Sequence, residues 1–252
     1  MTHKPTLAAA AAALFLITGC NADKADNGAA ATTITAKPVA APNNGDWSEI
    51  VATTAEGGFL MGNPNAAVRL VEYGSMTCPH CREFDETGMK PLIDDYVKKG
   101  LVGFEFRNYV REGLDMTVSL VARCGGTASF FGLTRALYAA QPDWGSKLQT
   151  ADQAMLAQLD TLPPAQQFKT LADLTGMPAF AALRGVPREK TAICLADQKA
   201  AEQLVQIKAE ADSQYQIPGT PSFLLNGKLV EITTGSTVWS QLDKALKDAL
   251  GG

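Results

Sequence analysis

The spacing of apolar positions changes along this chain, and each change marks an element. A short apolar run at 59–61 lies between Gly57-Gly58 and the turn-prone Gly62-Asn63-Pro64-Asn65, which predicts a strand. A second run over 68–75 predicts another. From Arg82 to Lys99 the period lengthens, with Leu92, Ile93, Tyr96 and Val97 at helical spacing, and over 102–110 a strand pattern places Phe104, Phe106, Asn108 and Val110 on one face. Residues 114–212 carry several helical patterns broken by Gly125-Gly126, Pro142, Pro163-Pro164, Pro178 and Pro187, with no strong alternation. Strand signals return at 222–225, followed by an Asn226-Gly227 hairpin turn and a run over 229–232. A last helix is predicted over 238–250, with Trp239, Leu242, Leu246 and Leu250 on one stripe and Gly251 as its stop.

The N-terminus follows a different pattern. His3 and Lys4 precede an apolar stretch from Leu7 to Ile17, too short for a spanning helix and suited to an export signal. Ile17-Thr18-Gly19-Cys20 resembles the bacterial lipobox, in which Cys20 becomes the lipidated first residue of the mature protein; an ordinary signal cut near Ala40 or Ala41 is the alternative. The segment after it, rich in Ala, Thr, Asn and Pro, predicts a flexible tether spanning about 25–30 Å. The expected organisation is a signal at 1–19, a tether at 20–46, a first fold segment at 47–113, an inserted helical subdomain at 114–212, and a second fold segment at 213–252.

Composition narrows the function. An apolar fraction of 46% in 252 residues can bury a core, and a net charge of −4 without a basic run argues against nucleic-acid binding. Of the five cysteines, setting Cys20 aside leaves four, an even number that suits two bridges in an oxidising compartment. Pairing 78–81 and 124–194 is the favoured connectivity, with Cys124 and Cys194 as a structural disulfide; buried free thiols or a second redox couple are the alternatives.

Chemistry concentrates at Cys78-Pro79-His80-Cys81, between a predicted strand and a predicted helix. Disulfide exchange needs a thiolate, and the usual cysteine pKa of about 8.5 leaves little of it at neutral pH. Cys78 is placed as helix N-cap with Pro79 at the first helical position, so that free amides and the positive helix end face its sulfur. His80 can add a positive charge or donor, unless it is a spacer pointing into water. Cys81, one turn along, is the buried resolving thiol. Haem attachment would require His where Arg82 stands, and zinc lacks a ligand set, so no metal or cofactor is expected.

Val71-Glu72-Tyr73 leading to Cys78-Pro79-His80-Cys81, the helical insertion, and Gly219-Thr220-Pro221-Ser222-Phe223 together resemble the DsbA-like thiol:disulfide oxidoreductases. The resemblance implies an α/β thioredoxin fold with an inserted helical subdomain. It implies that Glu72 is a buried acid assisting proton transfer at the resolving cysteine; an exposed strand glutamate or a partner for Arg107 is the alternative. It also implies that Thr220 and Pro221 form a cis-proline loop binding extended substrate, in place of an ordinary trans turn. The function expected is an exported dithiol oxidase acting on reduced client proteins, periplasmic and lipid-anchored, monomeric, and reoxidised by a membrane partner of the DsbB type. A disulfide isomerase or reductase, or a tethered peptide-binding chaperone module without redox turnover, are the competing functions.

Overall fold

The computed structural model of the protein describes Met1 and residues 36–251. The expected signal, Cys20 and the start of the expected tether lie outside the described residues. The end of that tether is held in place: Ala36 N–H donates to Leu250 O at 3.0 Å, Val39 N–H to Lys99 O at 2.9 Å, and the buried Trp47 donates its Nε1–H to Val39 O at 2.8 Å. The backbone is therefore tied down by these bonds about ten residues ahead of the boundary expected at 46.

In chain order the elements are β1 Val51–Thr53, β2 Phe59–Met61, β3 Val68–Gly74, α1 Pro79–Thr87, α2 Met89–Leu92, β4 Val102–Asn108, α3 Gly113–Arg123, α4 Phe130–Ala139, α5 Gln141–Gln149, α6 Gln153–Gln158, α7 Pro164–Thr175, α8 Met177–Ala182, α9 Arg188–Ala196, α10 Gln198–Glu210, β5 Ser222–Leu225, β6 Lys228–Leu229 and α11 Val238–Leu250. Among the described residues one six-stranded sheet has the order β1-β2-β4-β3-β5-β6. Its centre, β3 beside β4, is parallel, and its outer pairs are antiparallel. This is a thioredoxin fold, interrupted between β4 and β5 by a helical insertion.

Several elements differ from expectation for local reasons. β1 escaped notice because its three residues are mostly exposed and carry no alternation. The helix expected over 82–99 breaks after Thr87. Pro91 has no N–H to give the carbonyl of Thr87, and a Cβ at Gly88 would stand 2.5 Å from the Phe84 ring. The strand expected over 229–232 is shorter, Lys228–Leu229, with one more ladder bond from Val230 N–H to Phe223 O at 2.8 Å before the chain turns toward α11.

The central strands are covered on both faces. On one face Phe84 of α1 meets Phe223 of β5 edge-on at 4.8 Å, and Phe130 of the insertion stacks on Phe59 at 3.8 Å beside Phe106. The opposite face buries Glu105 and Arg107 as an ion pair at 2.7 Å, with Arg107 also donating to the Tyr73 hydroxyl at 3.1 Å. Neutralising each other is what lets these two charges occupy core positions. Cys124, the cap residue closing α3, is joined to Cys194 of α9, tying two helices of the insertion together.

Candidate active site

The C-terminal end of β3 delivers the chain into the turn Ser75-Met76-Thr77, closed by Cys78 N–H donating to Ser75 O at 3.1 Å. Cys78 follows in extended conformation (φ −83°, ψ 122°) as the N-cap of α1, with Pro79 at the first helical position. The helix can begin abruptly because proline has the right φ and no orphan donor to satisfy. Cys78 and Cys81 are not bonded to each other in the structure; Cys78 is 3% exposed and Cys81 fully buried.

The two sulfurs differ electrostatically. Cys78 is drawn down from the usual thiol range to about 5, chiefly by the hydrogen bond from the Cys81 thiol; burial opposes this, while Thr220 and the backbone amides of Cys81 and His80 assist. In the protonated form Cys78 Sγ donates to Thr220 O at 3.1 Å, and the buried Thr220 hydroxyl has no partner. Ionisation of the sulfur supplies that hydroxyl with an acceptor. Cys81 is pushed well above the thiol range by burial first, then by its hydrogen bond to Cys78 and the nearby Glu72 carboxyl.

Glu72 lies on β3 with its side chain on the face covered by α1. It is 2% exposed, Oε1 has no hydrogen-bond partner, and burial, reinforced by the charges of Asp85 and Cys78, raises its pKa well above the carboxylate range. Glu72 is thus neither an exposed strand residue nor the partner of Arg107, which pairs with Glu105. It is an acid that burial holds toward its protonated form near the resolving thiol, able to exchange a proton with it. Asp85, one helical turn after Cys81, is raised to about 6 by burial despite Arg135 at 3.6 Å. Its spacing of four from Cys81 was a signal in the sequence that went unread.

His80 takes a different position from the expected one. Its imidazole is 72% exposed and faces Glu83, with Nδ1 3.4 Å from Oε2. The backbone amide of His80, not its ring, supports the Cys78 sulfur. The Thr220-Pro221 bond is cis, and Thr220 adjoins the Cys78 sulfur. They edge a groove of about 600 Å³ that is also lined by His80, Pro218, Val230, Ile232 and Val238. Residues that the sequence reading missed include Asp115, Tyr138 and Gln141 of the insertion, which reach the turn before Cys78 from 39 to 65 positions away in the chain. Nothing local marks them. Cys124 and Cys194, whose side chains bond to each other, take no part in the site. Among the described residues no group of His, Cys, Asp and Glu is arranged to hold a metal ion, nor is any helix long and apolar enough to cross a membrane.

Known proteins resemble this chain in sequence and fold. The thioredoxin family profile matches residues 54–248. A solved structure of protein-disulfide isomerase from Novosphingobium aromaticivorans is 33% identical, covers 77% of this chain and 97% of its own, and superposes with a TM-score of 0.70. Wolbachia pipientis alpha-DsbA1, 20% identical over 79% of this chain and 94% of its own, shares the fold with a TM-score of 0.61. A Rickettsia bellii protein named as a protein-disulfide oxidoreductase is 26% identical over 77% of this chain, which spans 66% of that relative's length. The profile match over residues 54–248 and the 33% identity to the Novosphingobium structure show that the chain belongs to the thioredoxin family, as a DsbA-like thioredoxin-fold protein.

Proposed function

We propose that the protein is an exported dithiol oxidase that passes the Cys78–Cys81 disulfide to reduced client proteins. A client thiolate attacks the Cys78 sulfur of the oxidised pair. The Cys78–Cys81 bond breaks, Cys81 leaves as a thiolate and takes a proton from Glu72, and the client is joined to Cys78. A second client thiolate then attacks the client sulfur of this mixed disulfide and expels Cys78 as a thiolate. The client loses two electrons and the enzyme pair gains them; a membrane partner of the DsbB type takes them on. Pro79 starts the helix that supports the sulfur, and Thr220 and Pro221 line the groove for the extended client segment.

The single observation that carries the direction is the opposite displacement of the two thiols, with Cys78 at about 5 and Cys81 raised. A stable Cys78 thiolate is a good leaving group and favours the reduced enzyme, which makes its disulfide an oxidant. Equilibration with glutathione buffers tests this. A potential near about −120 mV supports the oxidase, and one near about −270 mV, as in thioredoxin, rejects it. The second reading, an isomerase, is favoured by the name of the Novosphingobium structure at 33% identity. Faster refolding of a scrambled disulfide substrate than oxidation of a reduced one selects it.

Export rests on the apolar stretch from Leu7 to Ile17 and on the Ile17-Thr18-Gly19-Cys20 motif. The proposed mature form is a periplasmic monomer held to a bacterial membrane through lipid on Cys20 and a tether beginning at that residue. Intact mass of protein isolated from membranes is expected to include acyl chains; a mass without them removes the anchor.

A further inference from the structure

The turn that delivers the nucleophile is held by the helical insertion. From α4, the Tyr138 hydroxyl donates to Ser75 O at 3.1 Å. Asp115, in the first turn of α3 and fully buried, accepts from Met76 N–H at 2.8 Å and from the Ser75 hydroxyl at 2.6 Å. Gln141, the first residue of α5, divides its Nε2 donors between Met76 O at 2.9 Å and Cys78 O at 3.0 Å. Three side chains from three consecutive helices thus engage Ser75 O, Met76 N–H, Met76 O and Cys78 O.

We infer that Asp115, Tyr138 and Gln141 are positioning residues for the Cys78 nucleophile, and that holding this turn is a duty of the helical insertion in the exchange reaction. The inference rests on the redox reading of the site. The Cys78 carbonyl is the key group: it accepts both from Gln141 and, at 3.2 Å, from Arg82 N–H, the bond that opens α1. Gln141 therefore fixes the peptide plane through which the sulfur is presented to the amides of residues 80 and 81 and to Thr220. Hydrogen bonds to a thiolate weaken steeply with misalignment, so loosening this plane lowers the stabilisation of the anion without touching the sulfur. Asp115 anchors the other end of the turn, and is itself tied by Arg111 N–H at 3.0 Å.

The test is a titration of the Cys78 thiolate by its ultraviolet absorbance and by its alkylation rate in the reduced full-length protein. Gln141→Leu is expected to raise the midpoint by about one unit, which lowers the thiolate population about tenfold at a pH below the midpoint and, because a more basic thiolate is more nucleophilic, slows alkylation about threefold. Gln141→Glu, the same shape with an acceptor facing two carbonyls, is expected to raise it further. Tyr138→Phe, which keeps the ring and its packing, is expected to give a smaller rise and decides the matter if the Gln141 variants do not fold. Variants that lose thermal stability yet keep the wild-type midpoint overturn the inference, since a merely structural role would do that. A wild-type midpoint in the ordinary thiol range would instead sink the oxidase reading, so the two failures are distinguishable.

Discussion

Replacing Cys81 separates the causes of Cys78 acidity. The largest of them is the hydrogen bond from the Cys81 thiol, which brings Cys78 to about 5. A hydrogen bond to a charged acceptor contributes about 1.5–3 kcal/mol, equivalent to about 1–2 pKa units. Cys81→Ala is therefore expected to move the Cys78 midpoint to about 6–7, whereas Cys81→Ser, which keeps a donor in place, should leave it close to the wild-type value. Thiolate absorbance against pH, with alkylation rate as an independent check, reads both. The same ionisation governs the wild-type potential. At about pH 7, a thiolate ionising two units lower stabilises the reduced enzyme by about 2.7 kcal/mol, or about 60 mV, over an otherwise identical site with an ordinary thiol. Above the Cys78 midpoint only Cys81 takes a proton on reduction, so the potential falls by about 30 mV per pH unit; below it both do, and the slope doubles to about 59 mV. The break in slope is expected at about pH 5, where the Cys78 thiol titrates. A Cys81→Ala protein that still titrates near 5 would refute the assignment of the main cause to Cys81 and transfer it to the helix amides and Thr220.

Glu72 yields a prediction of opposite sign. Its folded pKa is raised by burial, so its contribution to stability is intact below the unfolded value of about 4.3 and is lost at up to about 1.4 kcal/mol per unit as pH rises toward the folded value. Glu72→Gln is expected to remove that slope in urea melts, stabilise the reduced protein at neutral pH, and slow the attack of Cys81 on a mixed disulfide; an unchanged rate would deny Glu72 its proton-carrying role. Cys124→Ser combined with Cys194→Ser opens a bridge between residues 70 apart in sequence and is expected to cost about 4 kcal/mol in denaturant unfolding. The same double variant should keep the potential of the Cys78–Cys81 pair, and a shift in that potential would make the second bridge part of the redox chemistry.

Much of the site was legible because its chemistry is local in sequence. Cys78, Pro79 and Cys81 lie within one helical turn, so strand, N-cap and helix place them without help from distant residues. The hydrogen-bonding part of His80 differs from expectation for a related reason: the motif names the residue, but whether ring or amide meets the sulfur depends on a rotamer, and the ring lies in solvent beside Glu83. Glu72 could be placed on β3 from its pattern, yet its burial required the register that sets it between Phe106 of β4 and Phe223 of β5. The break at Gly88 was hidden because apolar spacing continues across it.

By itself the sequence determined the strand–CxxC–helix unit, the return of strand signals after Thr220-Pro221, the final helix ending at Gly251, and the helical character of the insertion. These follow from periodicity and from residues whose backbone chemistry acts on their neighbours. Tertiary structure alone decided that the Cys78 sulfur meets Thr220 from 142 residues away, that Glu72 is left without a partner on Oε1, and that Asp115, Tyr138 and Gln141 converge on one turn. Hydrogen bonds and burial between distant segments leave no period in the chain. They exist only once the hydrophobic faces of sheet and helices have closed on each other.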